Sequence, residues 1–250
     1  MSRQVSAFGN KDGDVRHLVQ QWQNTSMLEL WHAQLIQHHQ ELYKGIGMAK
    51  FPQDLWTYEK LLNAADPDVI IEIGVNEGGF THWLHDRLLT AYSSDSRKQL
   101  RTVIGLDVDI EKAKRNLSSL LSSPLDGVEI ILIQCNLLNP GSLAKAKDEI
   151  ASLIAGRSLF MIEDSGHSYE TTQASLNAFS DFSKPGEWFV VEDTCVDIEE
   201  LREGPYWPRG ALTATNDFLS GRSDFERTNF NHTYGITCHP YGFLRKRNAP

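Results

Sequence analysis

The stretch Pro67-Asp68-Val69-Ile70-Ile71-Glu72-Ile73-Gly74-Val75-Asn76-Glu77-Gly78-Gly79 decides the fold. Val69 to Ile73 is an apolar, mostly β-branched run, too short for a helix, and it stops at a glycine. The turn that follows is rich in glycine, which lets a backbone bend sharply and a ligand approach it closely. It opens a helical segment over 79–90. The unit then repeats. Runs at Thr102 to Leu106, Val128 to Ile133, Leu159 to Ile162 and Trp188 to Val191 end at Asp107, Asn136, Glu163-Asp164 and Glu192-Asp193. Helical spacing lies between them over 110–121, 142–154 and 169–182. Strands apolar along their whole length and alternating with helices describe an α/β fold, a mostly parallel, doubly wound, Rossmann-like sheet covered on both faces.

Working outward, Val15, Leu18, Val19, Trp22, Leu28, Trp31 and Leu35 recur at helical spacing up to Tyr43 and predict an N-terminal helical layer. Gly45, Gly47 and Pro52 break it, and a second helix is expected over 54–65. Residues 93–101 read as an exposed polar loop. Beyond Pro208, a helix over 212–219 and strands at Phe225 to Thr228 and Gly242 to Lys246 predict an antiparallel hairpin that finishes the sheet. The expected organisation is one compact domain overall. Within it, residues 1–66 form a helical segment that acts as a lid or oligomer contact, and residues 67–250 carry the chemistry.

Among 250 residues, 24 Lys and Arg face 33 Asp and Glu, a net charge of −9 that leaves no basic excess for nucleic acid or an anionic bilayer. Cys135, Cys195 and Cys238 form no C-x-x-C pair, so neither a zinc knuckle nor a disulfide framework is expected, and a reducing compartment fits. No apolar run approaches the about 18 residues of a membrane span. The expectation is a cytoplasmic protein whose partners are small molecules, with no nucleic acid and no membrane.

Ligands of doubly wound sheets bind beyond the carboxyl ends of the strands, where the strand order reverses. The strand ends here are acidic. The spacing at Gly74, Gly78 and Gly79 departs from G-x-G-x-x-G, so the pyrophosphate cradle of NAD enzymes is not reproduced. Glu72 suits a cationic or amino-bearing ligand, and Asp107 at the next tip suits a pair of ribose hydroxyls. Together they favour S-adenosylmethionine (SAM) over NAD or a ligand-free structural turn. Glu72, Gly74, Asn76, Gly78, Asp107, Asn136 and Asp164 are therefore the candidate cofactor-binding residues.

Asp164 and the pair Glu192-Asp193 close successive strands. Three converging carboxylates raise one another's pKa unless a divalent cation neutralises them. An all-oxygen set suits Mg²⁺, with Mn²⁺ as the alternative, better than zinc; helix capping by one or two of them is the competing reading. His167, three residues past Asp164 in a loop, can take a proton from a metal-bound hydroxyl. His167 and Asp164 are the candidate catalytic residues, and Asp164, Glu192 and Asp193 the candidate metal ligands. The other histidines read as surface or packing residues. Trp31, Trp56 and Trp207 lie outside the sheet unit and are candidates for the wall of an acceptor pocket.

These residues also carry a resemblance. Lys50-Phe51-Pro52-Gln53-Asp54-Leu55-Trp56, Pro67 to Gly74, Gly78-Gly79, Ile104-Gly105-Leu106-Asp107, Glu163 to Ser168, Val190 to Thr194, Gly204-Pro205 and Pro240-Tyr241-Gly242-Phe243-Leu244 occur in order between about Trp31 and Arg245. In them the chain resembles the cephalosporin hydroxylase family, whose members are similar to rhamnosyl O-methyltransferases and include the cephamycin methoxylation protein. The resemblance implies a class I SAM-methyltransferase fold, Mg²⁺-dependent methyl transfer to a hydroxyl of a sugar or secondary metabolite, and a homo-oligomer. It places the metal carboxylates on Asp164, Glu192 and Asp193, the cofactor loop on Glu72, Gly74 and Gly78, and the ribose carboxylate on Asp107. Phe80 departs from the small hydroxyl residue usual in the family after the double glycine. A non-haem hydroxylase and a non-catalytic partner subunit are the alternative functions.

Overall fold

The computed structural model describes residues 25–90, 100–122, 127–202, 204–228 and 236–248. Helix α1 (Met27–His38) starts with a capping box: Ser26 Oγ accepts from Glu29 N, and the Glu29 carboxylate accepts from Ser26 N. It buries Trp31, Leu35 and His38. The expected helix to Tyr43 stops short, because Lys44 and Gly45 take left-handed backbone angles and turn strands β1 (Leu42–Tyr43) and β2 (Ile46–Gly47) into a small hairpin. Val15 to Trp22, part of the predicted helical layer, lie outside the described residues. Helix α2 (Pro52–Ala65) starts on Pro52, whose missing N–H is no loss at the first helical turn, and ends where Asp66 turns left-handed.

The sheet then builds as its pattern predicts. Strands β3 (Val69–Ile73), β4 (Arg101–Asp107), β5 (Val128–Gln134), β6 (Leu159–Glu163) and β7 (Trp188–Val191) are parallel to one another. The pair β8 (Phe225–Arg227) and β9 (Phe243–Lys246) is antiparallel, with β9 antiparallel to β7. The order is β5-β4-β3-β6-β7-β9-β8, so the direction of winding reverses between β3 and β6. Helix α3 (Gly79–Leu89) follows β3, α6 (Pro140–Leu153) follows β5, α7 (Tyr169–Phe179) follows β6, and α8 (Ala211–Gly221) precedes β8. The helix expected over 110–121 is divided at Leu117 into α4 (Glu111–Asn116) and α5 (Ser118–Ser122). Arg101, expected in an exposed loop, is instead the buried first residue of β4, paired with Asp66 at 2.6 Å; residues 93–99 of that loop lie outside the described residues.

Strand alternation sorts the core into two layers. Val69, Ile71 and Ile73 pack with Leu176 and Phe179 of α7 on one face. Ile70 packs with Tyr58 of α2 and Phe80 of α3 on the other. A third cluster joins Trp31, Leu35 and Phe51 to Cys195, Val196 and Cys238, which ties the N-terminal segment onto the loops after β7 and before β9. Among the described residues no helix is long and apolar enough to cross a membrane.

Candidate active site

Backbone hydrogen bonds run past the strand ends and hold the tips side by side. Gly74 N donates to Leu106 O, Cys135 N to Asp107 O, Asp164 N to Ile73 O, and Glu192 N to Glu163 O, all at 2.7–2.8 Å. Beyond these tips, at the reversal point between β3 and β6, lies a cavity of about 520 Å³. By strand order, Gly74, Asn76, Asp107 and Asn136 follow β3, β4 and β5, whereas Asp164, His167 and Asp193 follow β6 and β7, and all of them line it. Lys50, His38, His39 and Trp207 close it from outside the sheet.

On the first side, Asp107 organises the turn. Its Oδ2 accepts from Val75 N at 2.9 Å and Asn76 N at 2.8 Å, and its Oδ1 accepts from Asp109 N at 3.1 Å. Glu72 and Gly78, predicted in the same set, are not in the cavity wall. Alternation turns Glu72 onto the α2–α3 face, where Thr81 Oγ1 donates to Oε2 at 2.6 Å and Oε1 is buried without a partner. Burial pushes its carboxyl up to about 8, against the hydrogen bond from Thr81 and the charge of Lys50. Gly78 caps α3 at φ 91°, and a Cβ there would meet Leu117 at 2.9 Å.

On the second side two of the predicted carboxylates, Asp164 and Glu192, meet on a lysine that no sequence pattern announces. Lys50 Nζ donates to Asp164 Oδ2 at 2.5 Å and to Glu192 Oε2 at 2.6 Å. Tyr58 OH donates to Glu192 Oε1 at 2.6 Å, so both Glu192 oxygens are engaged below the cavity wall. Burial alone would raise both carboxyls. Lys50 and His239 overcome it at Glu192, which falls to about 2, whereas burial and the Glu192 charge hold Asp164 well above the usual carboxylate range. Burial likewise opposes the charge on Lys50, but Asp164, Glu192 and Asp193 outweigh it and push the ammonium pKa well up.

His167 Nε2 stands 3.3 Å from Asp193 Oδ2, and donor atoms of Asp164, His167 and Asp193 all lie within 4.8 Å of one another. Both His167 (φ 52°) and Asp193 (φ 50°) are held left-handed, the kind of strain that surrounding structure must impose. His239, expected to be surface or packing, is a buried member of this cluster. Its Nδ1 accepts from Asp193 N at 2.9 Å, and Nε2 lies 3.7 Å from Asp54 Oδ2 and 3.9 Å from Glu192 Oε2. His38 and His39, expected the same way, line the cavity. Of the three candidate wall tryptophans only Trp207 reaches the cavity: Trp31 is buried in the core and Trp56 is exposed. Lys50 and Tyr58 carry no periodic signal, but Lys50 heads the Lys50 to Trp56 marker and a lone lysine beside three acids is the charge their repulsion calls for.

The residues present fit a small divalent ion in two overlapping sets: ligand atoms of Asp164, His167 and Asp193 lie within 4.8 Å of one another, as do those of Glu192, Asp193 and His239, and Lys50 Nζ already joins Asp164 to Glu192.

The model of the family described as rhamnosyl O-methyltransferase/CmcI matches residues 36–247. The chain belongs to this family. Like its relatives it is a SAM-dependent O-methyltransferase. Rhamnosyl O-methyltransferases from Mycobacterium bovis and Mycobacterium tuberculosis are 24% identical over 208 residues, 81% of this chain and 76% of theirs. Among solved structures, CmcI with Mg and SAM aligns at a TM-score of 0.57 and 20% identity, covering 84% of this chain and 78% of its own. CmcI with SAH aligns at 0.53 and 19%, covering 83% of each. The family fold is thus the class I methyltransferase sheet described above.

Proposed function

We propose that the chain methylates a hydroxyl of a sugar or secondary metabolite, taking the methyl group from SAM with the help of Mg²⁺. The observation that carries this reading is the division of one cavity into two chemically distinct halves. Gly74, Asn76, Asp107 and Asn136 would receive the donor, and Asp164, His167 and Asp193 face the place where an acceptor hydroxyl would lie. Glu72 and Gly78 would support the donor half from behind, one beneath the turn and one at the start of α3. The names of the relatives, rhamnosyl O-methyltransferase and CmcI with Mg and SAM, support the acceptor class and the metal.

Asp164, Glu192 and Asp193 would hold the ion, which lowers the pKa of a bound hydroxyl. His167 accepts the proton: with Nε2 directed to Asp193, the remaining ring nitrogen is free to take it. The cavity walls would have to align acceptor oxygen and methyl carbon, since such alignment supplies a large part of the acceleration in a displacement at carbon. His38, His39, Lys50 and Trp207 bring the segment before residue 67 and the loop at 204–208 over the cavity, which supports a lid role for that segment. The exposed apolar side chains Met27, Leu28 and Ile36 on α1 support its use as an oligomer contact.

The test is incubation of the protein with SAM, Mg²⁺ and a panel of glycosides, rhamnosides included, with product masses recorded. A gain of one methyl group on a sugar hydroxyl is expected. Methylation confined to a nitrogen or a carboxylate acceptor would overturn the reading.

A further inference from the structure

Two carboxylates of the acid cluster, Asp164 and Glu192, already share a cation that belongs to the chain. Lys50 lies in the short connection between β2 and α2, is 7% exposed, and meets Asp164 at 2.5 Å and Glu192 at 2.6 Å. Its ammonium also sits 4.7 Å from the centre of the Phe80 ring, the residue at which this chain departs from the small hydroxyl expected after Gly78-Gly79. An aromatic face under a desolvated ammonium holds it by cation–π attraction, which a serine or threonine would not supply.

We propose that Lys50 is the built-in counter-cation of Asp164 and Glu192, clamped in part by Phe80, and that a divalent ion gains these carboxylates only by displacing it. The inference rests on the metal-dependent reading above and adds to it a competitor within the chain. A lysine ammonium is a point charge on a flexible four-carbon stem, and Lys50 borders the cavity, so it has somewhere to swing. Two carboxylate oxygens at one point cannot serve both cations at once. With Lys50 in place the acid cluster is stable without metal, and metal affinity is correspondingly weakened. Phe80 then tunes how readily the exchange happens.

The experiment measures Mn²⁺, a paramagnetic substitute for Mg²⁺, binding to the full chain by electron paramagnetic resonance, for the wild type, Lys50→Met and Phe80→Leu. Lys50→Met is expected to bind Mn²⁺ at least tenfold more tightly, and Phe80→Leu several-fold more tightly. In EDTA, Lys50→Met should melt below the wild type, since it removes the cation from buried Glu192 and half-buried Asp164, and Mn²⁺ should recover much of that loss. If the wild type binds Mn²⁺ and both variants bind it equally or more weakly, the competition is refuted while the metal reading stands. If none of the three binds Mn²⁺, the metal reading falls and this inference with it. Should Lys50→Met fail to fold without metal, Phe80→Leu alone decides the direction.

Discussion

A Cβ placed on Gly74 would stand 1.9 Å from the carbonyl oxygen of Asp164. The turn after β3 and the tip of β6 are therefore in backbone contact, and the distance between the two sides of the cavity is set by the absence of one carbon atom. Gly74 also has φ 105°, a region closed to other residues. Gly74→Ala must both adopt that angle and push β3 from β6. We expect a loss of about 2–4 kcal/mol, read as a fall in the urea midpoint at constant slope, together with weakened SAM binding. An alanine variant of wild-type stability would show that the two tips are free to separate.

His167 and Asp193 act as a unit in this account, so their variants should resemble one another. His167→Gln and Asp193→Asn are expected to lower kcat by about 10²–10⁴, the range for loss of a general base, with SAM affinity within a few fold. Asp193 is also a proposed metal ligand, so of the two variants its own should weaken Mg²⁺. Steady-state kinetics with a Mg²⁺ series separates the two, and a His167→Gln enzyme with unchanged kcat would remove this residue from proton transfer.

The fold is legible in the sequence because its strands are mostly apolar and end at glycine, asparagine or acid. That pattern gives β3 to β7 within a residue or so and places Asp107, Asp164 and Asp193 at one edge. What escapes is long-range pairing. Lys50 meets Asp164 across 114 residues and Tyr58 meets Glu192 across 134, and neither stands in a run whose period points to a site. His239 follows Cys238 in a loop and gains its meaning only from the antiparallel return of β9. The β1–β2 hairpin escapes for a local reason: Leu42 continues the spacing of Leu35, and only Lys44 and Gly45 announce the turn. Glu72 is the converse case, a residue placed on a strand as expected whose side chain alternation directs away from the cavity.

Glu72 makes a prediction about pH. Its folded pKa, about 8, lies above the ordinary carboxylate value because burial disfavours the charge. The native state therefore holds a proton that the unfolded chain gives up, and the stabilisation is complete below the unfolded pKa and lost as pH rises through about 8. Glu72→Gln carries no such proton. Denaturation midpoints across this window should decline with pH less steeply in the variant than in the wild type. Parallel profiles would show that Glu72 is ionised in the native protein.

Asp86 provides the opposite sign. Burial opposes its charge, but Lys44 at 2.6 Å, the Tyr43 hydroxyl at 2.6 Å and His85 prevail and bring it to about 2. Its contribution is present above the unfolded carboxylate pKa and is lost as pH falls toward 2. Asp86→Asn should loosen the β1–β2 hairpin at neutral pH, seen as faster amide exchange at Tyr43 to Gly47, with a difference from the wild type that shrinks in acid. A difference that grows in acid would contradict the assignment.

The central claim is that these carboxylates bring a divalent cation to an acceptor hydroxyl beside the methyl donor. It is tested most directly by methyl transfer from labelled SAM in Mg²⁺ and after EDTA, for the wild type and Asp164→Asn, with SAM binding measured in parallel by calorimetry. The account predicts that EDTA abolishes wild-type transfer and added Mg²⁺ restores it. It predicts that Asp164→Asn stays at least about 100-fold down in Mg²⁺, although both proteins bind SAM within a few fold of one another. Full transfer in EDTA, or an Asp164→Asn enzyme as active as the wild type, would contradict it.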